Sequence, residues 1–189
     1  MTYRAGRARF YFFGCLIVIS IIFCLTILYG IEKREHLITA QSSALVSPEQ
    51  IAYELYKSGS YEKALEEFDK LLRTESANRD LWLFRGFTHE KMNNYAAALS
   101  DMLHVTKLDQ DYFLAYQHVD WLYAREGRWQ DIVNMWDKYL ARHPYSGEAF
   151  LERAGTYKHK GDVQASQADL EKACNYKSAE ACRILQRNH

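Results

Sequence analysis

Two ladders of side chains could do recognition chemistry. Tyr53, Phe87 and Trp121 stand 34 residues apart, and Gly155 takes the next rung. Four residues after each comes Lys57, Lys91, Arg125 or His159. Side chains four apart share one face of a helix, so the aromatic and basic ladders would line the same surface. Rings offer large apolar contact area and cations meet carboxylates. A plainer use is also open, because a basic residue in the last turn of a helix complements the helix dipole.

Covalent and metal chemistry find less support. The chain has no phosphate-binding loop, zinc-protease helix or paired-cysteine metal site. His36, His89, His104, His118, His143, His159 and His189 show no ligand spacing, so no metal and no cofactor are expected. His89 reads as a core histidine with its hydrogen bonds satisfied. Glu66, Glu67 and Asp69 read as a solvated helix face. No serine, histidine and aspartate can be assembled into a nucleophilic set, so the chain is not expected to be an enzyme. Equal numbers of basic and acidic residues, 24 each, give no steering toward nucleic acid, and no small-molecule substrate is implied.

The ladders need elements that repeat in register, and the sequence supplies them. Gly59, Asn93, Gly127 and Gly161 are also 34 apart. Two residues later come Tyr61, Tyr95, Trp129 and Val163; five later Ala64, Ala98, Ile132 and Ser166; nine later Phe68, Met102, Trp136 and Leu170. This period and pattern resemble the tetratricopeptide repeat, a helix–turn–helix unit that stacks into an all-α solenoid. The resemblance implies four repeats at 45–78, 79–112, 113–146 and 147–180, then a capping helix and tail at 181–189. The glycine or asparagine would take a left-handed turn between paired helices. Ala52, Gly86 and Ala154 would let the helices of a pair approach closely, and Asp120 departs from that pattern. Leu55, Phe68, Leu71, Trp82, Val105, Tyr116, Tyr123, Trp136, Tyr139, Phe150, Tyr157 and Leu170 are the expected core.

Ahead of the repeats, residues 1–9 form a short basic segment carrying Arg4, Arg7 and Arg9. Residues 10–29, Phe10 to Tyr29, carry no charge. As a helix they would span about 30 Å, the thickness of a hydrocarbon core. A single uncleaved transmembrane helix is expected, because the run is longer than a signal-peptide core and no small-residue cleavage site follows at once. A linker at 30–44 joins it to the repeats. The three arginines on one side against Lys33 and Arg34 on the other favour a cytoplasmic N-terminus and an exported repeat domain. Cys15 and Cys24 lie in the apolar run.

The tail carries Leu170-Glu171-Lys172-Ala173-Cys174 and then Ala179-Glu180-Ala181-Cys182. This resembles Sel1-like repeats, relatives of the same fold. In their cysteine-rich bacterial members, two cysteines eight residues apart bridge adjacent helices. The resemblance implies a disulfide between Cys174 and Cys182, with two reduced buried thiols as the alternative.

In the tetratricopeptide family the first helix of each repeat lines a concave groove. The resemblance therefore places Tyr53, Lys57, Phe87, Lys91, Trp121, Arg125 and His159 in a partner-binding groove suited to an acidic peptide or helix. The expected function is a membrane-anchored scaffold or adaptor that assembles or stabilises an envelope protein complex. The expected location is the bacterial inner membrane, with the repeats in the periplasm. A permanent accessory subunit of a membrane enzyme, or of a transport or secretion machine, is the other reading. A receptor anchored on an organelle surface is a third.

Overall fold

A computed structural model of the chain describes residues 29–31, 33–34 and 47–187. The expected transmembrane helix at 10–29 lies outside the described residues except for Tyr29, as do Cys15, Cys24 and most of the linker. Among the described residues no helix is long and apolar enough to cross a membrane. The chain divides into two units, Met1–Ser47 and Pro48–His189. In the first, Tyr29, Gly30, Ile31, Lys33 and Arg34 are helical.

The described residues of the second unit form an all-α solenoid of paired helices, like that implied by the tetratricopeptide resemblance. Its helices are α1 (Pro48–Lys57), α2 (Tyr61–Thr74), α3 (Arg79–Lys91), α4 (Tyr95–Leu108), α5 (Phe113–Arg125), α6 (Trp129–Arg142), α7 (Gly147–Lys160), α8 (Val163–Asn175) and α9 (Ala179–Arg187). Between the helices of each pair, Gly59, Asn93, Gly127 and Gly161 adopt φ of 80°, 60°, 68° and 80°. This left-handed residue reverses the chain and lets the next N–H reach back five residues. Ser60 donates to Leu55 O, Asn94 to His89 O, Arg128 to Tyr123 O and Asp162 to Tyr157 O, at 2.8–3.0 Å. Each bond satisfies a carbonyl orphaned at the end of the first helix. Asn78, Asn94, Ser146 and Asp162 cap the starts of α3, α4, α7 and α8 with their side chains.

Apolar burial runs down the solenoid as three clusters. Ala52, Ala64, Phe68, Leu71, Leu72 and Leu81 form the first; Met102, Val105, Val119 and Leu122 anchor the second; Tyr116, Trp136, Tyr139, Phe150 and Leu170 anchor the third. Leu55, Trp82, Tyr123 and Tyr157 are only half-buried.

The third repeat solves its misfit by pairing. Asp120 takes the place where its neighbours have a small residue, and Trp136 reaches across the hairpin to donate its indole N–H to Asp120 Oδ2 at 2.5 Å. Trp136 is fully buried, so this bond satisfies a polar group that has no access to water.

Charged groups also cross the hairpins, which adds to one sequence expectation. Asp69 is not merely solvated: it accepts from Arg85 Nη1 at 2.6 Å. Arg85 on α3 also holds Asp101 on α4 with two parallel bonds of 2.9 and 2.6 Å. The pattern recurs 68 residues on, where Arg153 binds Asp137 and, by two bonds, Asp169. Asp101 and Asp169 are buried at 2% and 3% exposure, so each needs its fork of donors. Glu66 faces solvent, Glu67 is half-buried, and both pair with Lys70.

The reading of His89 is corrected. Its Nδ1 is buried and has no hydrogen-bond partner among the described residues, while Nε2 stands 4.0 Å from Asp101. Burial lowers its pKa below the ordinary histidine value, against the pull of Asp101.

The connection after α8 departs from those between the earlier pairs. At Glu75, Asp109 and His143 the chain leaves the second helix with φ between −121° and −135°. At the corresponding Lys177 φ is +72°. Ser178 then donates to Ala173 O at 2.9 Å, the bond made by the tight turns within pairs. This turn starts α9 at Ala179 and brings Cys174 and Cys182 to disulfide distance, with Cα atoms 4.7 Å apart. Gly147, the first residue of α7, packs against the same turn. A Cβ there would stand 2.7 Å from Tyr176 O and 3.0 Å from Ala173 O, both backbone atoms that cannot step aside cheaply.

These geometries set two expectations. Lys177→Gly should stabilise the domain by about 1 kcal/mol, because a left-handed lysine carries a steric penalty that glycine lacks. Gly147→Ala should destabilise it by roughly 1–3 kcal/mol through backbone collision. Urea denaturation of the two variants checks both signs. The cysteine pair should resist alkylation in the natively isolated protein, and reduction should lower stability by about 2 kcal/mol, as expected for so short a loop. Two freely alkylated thiols before reduction would contradict the bridge.

Candidate functional site

The first helices α1, α3, α5 and α7 meet side by side, and their contacts define one wall. Tyr53 on α1 packs edge-on against Phe84 on α3, with ring centroids 4.8 Å apart. Phe84 touches Phe87 at 5.8 Å, and Phe87 touches His118 on α5 at 4.8 Å. Gln117 on α5 then donates to Glu152 on α7 at 2.7 Å. The aromatic strip is thus continuous from α1 to α5 and becomes polar at α7.

Sequence reasoning found Tyr53 and Phe87 on this strip but missed Phe84 and His118. The signal was present: these two are 34 apart and three residues before Phe87 and Trp121, hence on the same helical face. Trp121 does not join the ring chain directly. It leans on Tyr95 of α4 at 5.6 Å and stays 43% exposed. Gly155 leaves open space, with nothing within 4 Å of where a Cβ would be.

Between α3 and α5 the wall dips into a depression of about 330 Å³ lined by Glu90, Leu114, Gln117, His118 and Trp121. Leu114 is 39% exposed, an unusual position for a leucine beside an exposed tryptophan. His118 Nδ1 stands 2.8 Å from Glu90 Oε1, which fixes one side of the depression.

The basic ladder is less uniform than its spacing suggests. Lys57 pairs with Glu54 at 3.6 Å and lies over the Tyr53 ring. Lys91 is exposed at the end of α3. The Arg125 guanidinium lies 3.8 Å from the Tyr95 centroid and 5.0 Å from that of Trp121. His159 stacks flat on Trp129, 5.0 Å away at 7°. Arg125 and His159 thus rest on rings while staying exposed, and the Arg125 guanidinium gains a cation–π contact there. Glu90 and Glu152 add acidic groups, so the wall carries both signs. Among the described residues no cluster of three metal-ligating side chains occurs.

Asp120 lies behind this wall, next in sequence to Trp121. Burial raises its pKa to about 6; Glu152 pushes the same way, while the Trp136 bond and His159 oppose. A carboxyl raised from 3.8 to about 6 contributes stability that is full below pH 3.8 and lost as pH rises through about 6. Asp120→Asn keeps an oxygen for Trp136 and removes the titration. Relative to the parent, the variant should gain little at pH 4 and up to about 3 kcal/mol at pH 7.5. Thermal unfolding across that range measures the difference; a gain independent of pH would contradict the assignment.

Residues 80–112, which form α3 and α4, match the family model of the tetratricopeptide repeat. No curated protein matches the chain in sequence. Among solved structures, a crystal structure of MamA is 16% identical with a TM-score of 0.60, covering 76% of this chain and 85% of that one. MamA 41-end from Desulfovibrio magneticus RS-1 is 17% identical with a TM-score of 0.56, covering 69% and 73%. YrrB, described as a TPR protein with an unusual peptide-binding site, is 20% identical with a TM-score of 0.59, covering 77% and 76%. At these identities the likeness is one of fold.

Proposed function

We propose that this protein is a non-enzymatic scaffold that binds a partner protein along the wall formed by α1, α3, α5 and α7. The observation that carries the reading is the exposed pair Leu114 and Trp121 around the depression on that wall. Two large apolar side chains held in water at the centre of a polar rim are the usual anatomy of an interface anchor. YrrB, with the same fold, is described as having a peptide-binding site, which makes peptide recognition a natural use of this architecture.

The uncharged run at 10–29 supports an inner-membrane anchor, and the arginine bias around it supports a periplasmic repeat domain. The cysteine pair and its Sel1-like tail fit an oxidising compartment of this kind. In that setting the protein would assemble or stabilise an envelope complex, its anchor concentrating the binding wall near membrane partners.

A photoreactive residue at Leu114 or Trp121, and a control at Val163, which is 67% exposed on α8, test the reading in cells. The same partner should crosslink at both wall positions and not at the control, and Leu114→Asp should weaken capture at Trp121 by roughly tenfold or more. Crosslinking at Val163 alone would overturn it. A partner that copurifies at fixed stoichiometry would identify a permanent subunit rather than an assembly factor.

A further inference from the structure

The opposite side of the same repeats carries a second cleft, and it does not belong to the wall. It lies between the second helices α4 and α6, over α5, with a volume of about 400 Å³. This is within the range of small-ligand sites. Leu103 and Met135 supply apolar walls, Tyr116 and Tyr123 face it from α5, and Lys107, Lys138 and Arg142 supply cations.

The cations of this cleft have no ion-pair partner: among the described residues no carboxylate pairs with Lys107, Lys138 or Arg142. The nearby Asp109 and Asp111 act on Tyr116 without bonding to it. The one acid in the lining, Asp131, is held by Arg128 at 2.7 Å. Arg142 is fixed without losing its charge: it donates to Lys138 O, to Gln110 O and to the Tyr116 hydroxyl at 3.2, 3.0 and 2.7 Å. Tyr116 is 6% exposed and its oxygen accepts from Arg142, so its own proton has no acceptor among the described residues. A buried hydroxyl with a free donor beside three unpaired cations is a pattern that an anion completes.

In the neighbouring repeats the residue at the equivalent place is engaged differently. Trp82, 34 residues before Tyr116, stacks on His104 at 4.0 Å and donates its indole N–H to Ser76 O. Phe150, 34 residues after, packs on Tyr176 and Lys172. Of these three positions, only Tyr116 brings a hydroxyl.

We infer that this cleft binds a carboxylate carried on an apolar stem. The carboxylate meets Tyr116 and the cations Lys107, Lys138 and Arg142, and the stem lies against Leu103 and Met135. Such a group can be a free acid or an acidic side chain of a partner, and the inference is independent of the wall on the other side.

The purified full chain is titrated with hexanoate while the amide signals of Lys107 and Lys138 and the methyl signal of Met135 are followed by NMR. Hexanoate should saturate these signals, and hexan-1-ol, which keeps the stem without the charge, should bind about tenfold or more weakly. Tyr116→Phe places at this position the residue found in the fourth repeat, so it should fold; it should weaken hexanoate about fivefold to tenfold. The double variant Lys107→Gln with Lys138→Gln, both exposed, should weaken it further without changing the circular dichroism spectrum. A capped Leu-Glu-Leu peptide that binds more tightly than hexanoate identifies a partner side chain as the source, and the reverse identifies a free acid. Equal binding of hexanoate and hexan-1-ol, unchanged affinity in the variants, or shifts located on α3 and α5 around Trp121 would each overturn the inference.

Discussion

Each first helix after α1 must be held between two second helices, its own and the one before it, and Arg85 and Arg153 do so with charge. Arg85 reaches forward to Asp101 on α4 and back to Asp69 on α2. Arg153 repeats this between Asp169 on α8 and Asp137 on α6. Buried pairs of this kind add little net stability over an apolar replacement, since desolvation offsets most of the attraction. What they impose is register. A guanidinium fork admits one arrangement of its two aspartates, whereas apolar side chains at the same place would tolerate sliding. The remaining packing of α3 and α7 is built around that fixed position.

The third repeat lies between the two clasps and lacks one. Val119 occupies the place of the arginine and is fully buried. The polar link across this hairpin is reversed, with the acid on the first helix as Asp120 and the donor on the second as Trp136. A large indole in the core brings a large ring cluster with it: Phe113, Tyr116 and Tyr139 all touch Trp136 or one another. The consequence is that α5 carries aromatic and half-exposed groups on several sides rather than a single buried stripe. Leu114 and Trp121 face one side and Tyr116 and Tyr123 line the cleft on the other. The repeat that departs from the pattern of its neighbours is the one that offers surface chemistry.

Much of this was legible in the sequence, for a physical reason. A left-handed turn demands glycine or asparagine, so the four hairpins announce themselves at Gly59, Asn93, Gly127 and Gly161. The fifth such turn has neither glycine nor asparagine at its left-handed position, which Lys177 occupies, a residue with no preference for that conformation. The aromatic wall was half legible: 34-residue spacing finds Tyr53 and Phe87, but Trp121 turns toward Tyr95, and a rotamer choice of this kind leaves no trace in spacing. The clasps were present as a 68-residue period in Arg85 and Arg153 that a 34-residue template averages away. They were also present as the 16-residue separation that links Arg85 to Asp101 and Arg153 to Asp169, a spacing that Asp120 and Trp136 share across their own hairpin. The arginine partner of Asp69 was not legible, because a carboxylate on an outward helix face looks the same whether its partner is water or an arginine on the next repeat.

Helix α5 is common to the wall and to the cleft, which raises the question of whether occupancy of one affects the other. Coupling requires an element with two arrangements that both sites bias. Helix α5 is buried at Ala115, Tyr116, Val119 and Leu122, and Asp120 ties it to Trp136. Moving it would open the core on two sides at once. The two faces are therefore expected to bind independently, with free energies that add. Independence does not make them unrelated. A partner with one segment on the wall and another in the cleft would gain from the second contact through effective concentration alone, without any change of shape in the solenoid. A short, rigid array can in this way hold an extended partner firmly with two modest sites.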